Sequence, residues 1–490
     1  MRLKSVTLNN FRCFEHLHID LHPRLTVFVG ANGAGKTALM DGIATAFTPM
    51  LSYLSSANQR LKGRGIKDSD FRIEPLPASS GKSRWGKADY VQIVAKTEEG
   101  LVWDYSKRSD SGAIRPPVKH GEKALKDYLD QLMASYKDGQ NQLTPVVAYY
   151  GSARGFIEFP GHTRAAKDEN YSHPTSALLG ALEAKSDFRE MMTWFDQEES
   201  SELRANKGIV NEHFVESPVL EAVRSAVSSL LNPSYNNPHF NQYHKFTVTR
   251  VFDNAPLLVS QLSQGYQSML ALGIDFTRRL GIANIGWSGF NRQEPNQFID
   301  DVIAPAISMN VGFSFESITA VTPILATPAI MLIDEIDLHL HPSWQQRVLD
   351  DLMRTFPLTQ FIVTTHSPQV LTSVDAACIR KLEQHTDPDT GVVRTVLSTV
   401  TQQTRGVASA DVLAEIMGVD PIPDVPEARD LSAYHGLIQQ NLHESDDGQA
   451  LRHKLDAHFG PDHPVMLDCN RMIRLQAFKQ KLPLAAARSA

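Results

Sequence analysis

An α/β fold whose buried strands end in polar, ligand-seeking turns is predicted by three stretches of this 490-residue chain. Leu25–Val29 is an apolar run followed by Gly30-Ala31-Asn32-Gly33-Ala34-Gly35-Lys36-Thr37, then by a helical pattern carrying Leu39, Met40, Ile43, Ala44 and Phe47. Ala329–Ile333 is uninterruptedly apolar and ends in Asp334-Glu335. Gln360–Thr365 reads as a third buried strand and ends in His366-Ser367-Pro368. Runs without polar alternation are strands covered on both faces, as in sheets flanked by helices.

Composition bounds the rest. Hydrophobic residues make up 42% and charged residues 21%, an ordinary globular balance, and the length accommodates two or three domains. The chain shows no basic-then-apolar leader and no apolar run of membrane-spanning length, so a cytoplasmic protein with no membrane partner is expected. Cys13, Cys378 and Cys469 lie far apart without metal spacing, which fits reduced thiols. The net charge of −7 excludes a whole-chain basic footprint for nucleic acid. The charge is uneven, however: residues 60–119 hold 13 Lys/Arg against 8 Asp/Glu, and residues 420–447 hold 7 acids against Arg429 alone. The first stretch is a candidate DNA surface and the second a candidate face for a basic partner; solvated surface is the competing reading of both.

Taken in order, Leu3, Val6 and Leu8 lead to Asn10-Phe11-Arg12-Cys13-Phe14, and Leu17, Ile19 and Leu21 then alternate with polar residues as in a half-buried strand. Arg12, in the polar break, is a candidate contact to a base or phosphate, with a surface arginine at a turn as the alternative. Gly30–Thr37 reads G-x-x-x-x-G-K-T between strand and helix, the context of a P-loop. Its backbone N–H groups wrap phosphate oxygens and the helix start adds a positive dipole end. Lys36 is expected at the outer phosphates of ATP and the Thr37 hydroxyl on Mg²⁺, with Asn32, Gly33, Ala34, Gly35 and Ala38 completing the nucleotide contacts.

The polar stretch Ser52–Lys87 reads as loop with little order of its own. Tyr90–Val94 and Leu101–Tyr105 form a predicted hairpin, Ala124–Tyr136 a helix, and Pro145–Tyr150 a buried strand ending at Gly151-Ser152-Ala153-Arg154. Arg154 is a candidate phosphate contact there. Residues 176–232 predict two or three helices, and Phe246–Phe252 a strand. Leu262-Ser263-Gln264-Gly265 opens a helix reaching Leu280, presenting a hydroxyl and free N–H groups to an anion; a plain N-cap is the alternative. Residues 282–322 read as an insertion or a small helical excursion. Asp334 is placed to hold Mg²⁺ through water, and Glu335 to orient or deprotonate the attacking water. Two acids capping a buried strand without a ligand would be costly. His339 and His341 lack an evident third ligand for zinc. His366 is placed to meet the γ-phosphate or the attacking water.

In this order the motifs resemble an ATP-binding-cassette ATPase head of the SMC and RecF kind, over roughly residues 1–400. The resemblance rests on Asn10–Phe14, Gly30–Thr37, Leu262-Ser263-Gln264-Gly265, Ile330–Glu335, Asp337 and His366. It implies an α/β, ABC-type P-loop ATPase head with a helical insertion and a small helical C-terminal region. The expected division is 1–160 (first ATPase lobe), 161–240 (helical insertion), 241–402 (second lobe) and 403–490 (helical, partner-binding). It also implies that two heads sandwich two ATP–Mg²⁺, with Ser263, Gln264 and Gly265 of one head facing the nucleotide of the other, Asp337 in the D-loop, and Lys36, Glu335 and His366 catalytic. Tyr149–Arg154, Leu262–Ser268 and Leu332–Gln345 further resemble the PtuA-type ATPases of Septu anti-phage systems and Septu-bearing retrons, as does the tail Thr404-Arg405-Gly406 with Val412–Val419. That family implies homodimers or larger homo-oligomers, a PtuB-like HNH nuclease partner restrained by nucleotide state, and, for a retron, a reverse transcriptase with its nucleic acid. A RecF-like DNA repair ATPase is the alternative. The chain departs from the pattern at Gln264, where transport and repair ATPases usually carry Gly, and in the long gap 268–328. Gln92, Gln140 and Gln142 all stand as candidates for the Q-loop.

Overall fold

The computed structural model describes residues 1–481 except 57–58, 77–83, 111–115, 117, 138–142, 153–172, 184–187, 209–213, 285–321, 387 and 389–392. The chain divides into two compact units, Met1–Val412 and Leu413–Ala490. The first opens with β1 (Leu3–Phe11), β2 (Phe14–Asp20), β3 (Leu25–Gly30), α1 (Lys36–Ala46) and α2 (Thr48–Leu54). The hairpins β4 (Ile73–Leu76)–β5 (Arg84–Lys87) and β6 (Tyr90–Thr97)–β7 (Val102–Arg108) precede α3 (Glu122–Lys137) and β8 (Val146–Tyr150). Next come α4 (Phe188–Ala205), α5 (Pro218–Leu230), the antiparallel strands β9 (Tyr235–Phe240), β10 (Phe246–Arg250) and β11 (Pro256–Leu258), and α6 (Gln264–Ala283). Then follow β12 (Ala329–Ile333), α7 (Pro342–Gln345), α8 (Val348–Thr355), β13 (Thr359–Thr364), α9 (Pro368–Leu371), β14 (Ile379–Thr386), β15 (Val393–Thr399) and α10 (Ser409–Glu415). In the second unit, α11 (Pro426–Gln439), α12 (Asp446–Phe459) and α13 (Pro464–Lys481) close a small core of Tyr434, Ile438, Leu455, Met466 and Cys469.

The central sheet runs β15-β14-β3-β13-β12-β8, parallel except for β15. Every residue of β8, β12 and β13 is buried, which is why these strands read as continuous apolar runs rather than alternations. Their order brings the tips of β3, β13, β12 and β8 to one edge, where α/β sheets bind ligands. Strands from before and after residue 160 thus share one sheet. A second, antiparallel sheet runs β2-β1-β6-β7. Between the two lies α1. Its Leu39, Met40 and Ile43 share one core with Leu8 and Phe11 of β1 and with Val147, Ile330 and Ile362 of the central sheet. Gly42 permits this close approach, since a Cβ there would lie 2.9 Å from Leu8 Cδ2.

The hairpin, helix and strand expected between residues 90 and 150 are present, the hairpin longer than its apolar pattern. The expectation for Ser52–Lys87 needs correction. This stretch contains the β4–β5 hairpin, a bridge from Phe71 to Phe11, and a buried Asp70. Ion pairs and backbone bonds order it, and neither leaves a hydrophobic period in the sequence. Residues 285–321 of the expected insertion, Arg154, Gln140 and Gln142 lie outside the described residues. Among the described residues, no helix is long and apolar enough to cross a membrane.

One buried side chain ties the two sheets together. Gln360 Oε1 accepts from Leu3 N (2.8 Å), and its Nε2 donates to the carbonyls of Leu3 (2.7 Å) and His22 (3.1 Å). Gln360→Leu fills the volume but orphans these backbone groups, so urea denaturation should show a loss of about 1–3 kcal/mol.

Candidate active site

The loop after β3 takes its shape from glycine. Gly33 (φ 81°) and Gly35 (φ 98°) are left-handed, a conformation that side chains with a Cβ resist. At Gly35 a Cβ would also meet Cys13 Sγ at 2.8 Å and Phe14 Cζ at 2.9 Å. The β1–β2 turn therefore presses directly on the P-loop, which gives Asn10–Phe14 a structural reason. Asn32 and Gly33 are exposed, Ala34 is buried and Ala38 is half-buried. Lys36 arches back over the loop, its Nζ donating to the carbonyls of Gly30 (2.8 Å) and Ala31 (3.0 Å). Burial pulls its ammonium below the usual lysine range, and Asp334, Glu335 and Asp337 oppose that pull. The first-turn amides of α1 have no acceptor within the helix, so they remain donors for phosphate oxygens.

The acids beyond β12 converge on this loop. Thr37 Oγ1 donates to Asp334 Oδ2 (2.8 Å), placing a hydroxyl and a carboxylate together as oxygen donors for a hard divalent cation. The residues present therefore fit Mg²⁺. Thr364, the last residue of β13, organises both acids: its Oγ1 donates to Asp334 Oδ1 (2.6 Å) and accepts from Glu335 N (2.7 Å). Glu335 is itself left-handed (φ 52°), a backbone strain of about 1–3 kcal/mol held by its surroundings. Asp337 Oδ1 accepts from Thr365 Oγ1 (2.6 Å) and from His366 N (3.2 Å), fixing the half-buried His366 beside the D-loop. Lys36, Thr37, Asp334, Glu335, Asp337 and His366 thus share one edge.

Arg12 is engaged with protein. Its Nε donates to Asp70 Oδ1 (2.8 Å), and Nη1 pairs with Asp41 Oδ2 (2.8 Å) on α1. Asp41 also pairs with Arg64 (2.8 Å) and accepts from Tyr149 OH (2.9 Å). Burial and the Asp41 charge keep the proton on Tyr149, whose pKa is raised. Ser263 and Gln264 are exposed at the start of α6. Gly265 abuts the D-loop, where a Cβ would lie 2.6 Å from the His339 carbonyl oxygen. No hydrogen bond among the described residues joins Ser263–Gly265 to the P-loop. His341 caps α7, its Nδ1 accepting from Ser343 N (3.3 Å) and bonded to Ser343 Oγ (2.8 Å). Gln92 lies in β6, donating to Asp104 Oδ2 (2.8 Å) and to the Val118 carbonyl (2.5 Å). The strand beside β12 ends instead in Tyr150-Gly151-Ser152.

Sequence reasoning missed Thr364, Thr365, Asp41 and Tyr149. The signal for the threonines was present, since hydroxyls at the tip of an apolar strand need partners. Asp41 sits one helical turn after Thr37 and shares its face.

Fold and site together define a P-loop ATPase head of the ABC type. Residues 5–216 match the family model of an AAA domain, and residues 318–372 match a second described as "AAA domain, putative AbiEii toxin, Type IV TA system". The chain is similar to the retron Ec83 probable ATPase of Escherichia coli, 26% identical over 96% of this chain and 86% of that protein. It is also similar to the retron Vc95 probable ATPase of Vibrio cholerae, 24% identical over 78% of this chain and 74% of that one. The Septu protein PtuA of Bacillus thuringiensis is 29% identical over 30% of this chain and 35% of its own length. The chain is an ATPase similar to those of retrons and Septu.

Thr364→Val keeps the shape of the strand tip while removing the bonds to Asp334 and Glu335. ATP turnover should fall roughly tenfold while nucleotide binding through the P-loop is retained, as read by steady-state hydrolysis beside calorimetric titration.

Proposed function

We propose that two copies of this head bind two ATP–Mg²⁺ between them, and that the nucleotide state restrains or releases a partner nuclease in an anti-phage system. The observation that carries this reading is the separation of two half-sites within one head. Lys36, Thr37, Asp334, Glu335 and His366 form one edge. Ser263 and Gln264 stand exposed at the start of another helix, beside the D-loop rather than the P-loop. A second copy supplies the missing half to each. In that arrangement Lys36 and the α1 amides hold the phosphates, and Thr37 and Asp334 hold Mg²⁺, which supplies charge neutralisation when bound. Glu335 accepts a proton from the attacking water, and His366 marks the γ-phosphate position. The start of α6 in the second head adds its positive dipole end to the same phosphate. Loss of the γ-phosphate removes the bridge and opens the pair.

Similarity to retron and Septu ATPases supports a defence role; the partners proposed for it are a PtuB-like HNH nuclease and, in a retron, a reverse transcriptase carrying its nucleic acid. The helical second unit is the proposed docking region. The alternative, a RecF-like repair ATPase bound to DNA, leans on the basic stretch 60–119. At least four of its 13 Lys/Arg are paired within the protein: Arg64 with Asp41, Arg72 with Glu15 and Glu74, and Lys87 and Lys107 with Asp68.

Two variants test the sandwich. Lys36→Ala should abolish nucleotide binding in calorimetry. Glu335→Gln should bind ATP and remain in a larger, closed assembly by native mass measurement with Mg²⁺. A Glu335→Gln protein that binds ATP without changing mass overturns the two-head reading. For the partner, the wild-type complex purified from its own operon should contain a nuclease-sized second chain; a lone ATP-dependent dimer that binds DNA would favour repair.

A further inference from the structure

The two tyrosines that end β8 are bonded to helices on opposite faces of the sheet. Tyr149 OH donates to Asp41 Oδ1 (2.9 Å) on α1, the helix that begins at Lys36. Tyr150 OH donates to Asp275 Oδ2 (2.9 Å) on α6, the helix that begins beside Ser263. Successive strand residues point to opposite faces, so one dipeptide meets both helices. Tyr150 also touches the Mg²⁺ edge, since its carbonyl accepts from Asp334 N (2.9 Å) at the end of the β8–β12 ladder.

On α6 this contact is built into a buried charge network. Arg279 Nε pairs with Asp275 Oδ2 (2.8 Å), and Arg278 Nη2 with Asp275 Oδ1 (3.2 Å). Arg279 Nη1 donates to the carbonyls of Ala177 and Leu179 (2.7 Å each), and Arg278 Nη1 reaches Glu190 (3.3 Å). Asp275, Arg278 and Arg279 are each less than a tenth exposed. Burial alone would raise the Asp275 carboxyl, but Arg279 and Arg278 outweigh it and hold the group ionised. Such a network is satisfied in one geometry and costly in others, so α6 cannot slide past β8 without breaking it.

We infer that Tyr150 is a positioning residue that couples α6 of a head to that head's own Asp334, the carboxylate proposed to hold Mg²⁺. ATP held by the second copy at Ser263 is thereby felt at this copy's reaction centre, an inference that rests on the two-head reading. Nucleotide at the start of α6 biases the position of the helix. The rigid Asp275 network passes that bias to the Tyr150 hydroxyl, and the Tyr150 carbonyl passes it to the Asp334 amide. Tyr149 serves the other helix through its bond to Asp41 on α1.

The test compares full-length Tyr150→Phe and Tyr149→Phe with the wild type. Tyr150→Phe removes one hydroxyl and leaves Asp275 paired with both arginines, so the chain is expected to fold; the thermal midpoint checks this. Three quantities are read: the Kd for ADP, which needs only the P-loop half, the kcat for ATP, and the Hill coefficient for ATP. Tyr150→Phe should keep ADP affinity, lose roughly tenfold in kcat, and fall toward a Hill coefficient of one. Tyr149→Phe should weaken ADP binding instead. A Tyr150→Phe protein as fast and as cooperative as the wild type overturns the coupling and leaves the two-head reading standing. So does one whose ADP affinity, kcat and thermal midpoint fall together, because that is a structural role. A wild type that hydrolyses ATP without cooperativity overturns the two-head reading, and the coupling with it.

Discussion

The hydrogen bond from Thr37 Oγ1 to Asp334 Oδ2 joins residues 297 positions apart, and the rest of the head is arranged so that it can form. Thr37 is fixed because Gly33 and Gly35 turn the loop left-handed and deliver the start of α1 to the sheet edge. Asp334 is fixed because β12 lies between β13 and β8, with Thr364 holding its second oxygen and the Tyr150 carbonyl its amide. A carboxylate at the end of a wholly buried strand is stable only with such partners, since an unpaired charge there would be strongly disfavoured. The parallel order β3-β13-β12-β8 is thus the means by which four distant segments satisfy one another.

That arrangement explains why the place of the candidate site was largely legible in the sequence. Asp334, Glu335 and His366 come just after an apolar strand, and Lys36 and Thr37 follow one through a short glycine loop, so a local string carried both the residue type and its place at the sheet edge. The parallel core was legible for the same reason, because β8, β12 and β13 are buried on both faces and lack alternation. What could not be read was pairing between segments. Nothing around Asp41 announces that it gathers Arg12, Arg64 and Tyr149, and the sequence around Gln92 does not say that it faces Asp104. The partners of Asp41 are set by the approach of two sheets to α1, and that of Gln92 by the register of the β6–β7 hairpin.

Arg12 shows the difference most clearly. As a residue in a polar turn near the P-loop it invited a role at a base or phosphate. In the structure its guanidinium lies between Asp70 and Asp41, 5.3 Å from the Phe11 ring centroid, and its own N–H donates to the Asp70 carbonyl. Any nucleotide contact it makes is therefore made by a side chain already fixed in place, which lowers the entropy cost of binding.

The same cluster gives order to a stretch with no hydrophobic pattern. Asp41 and Asp70 carry two negative charges, Arg12 and Arg64 two positive ones, and both acids are almost wholly buried. Removing one member leaves a buried charge uncompensated, a loss larger than any surface ion pair supplies. The segment containing Arg64 and Asp70 is therefore held against α1 by the Arg64–Asp41 pair, and against β1 and its turn by the Arg12–Asp70 pair and the Phe71–Phe11 bridge. The β1–β2 turn is held in turn, and with it the Cys13 and Phe14 atoms that wall Gly35. A polar sequence that reads as loop is in this way part of what holds the P-loop in its left-handed shape.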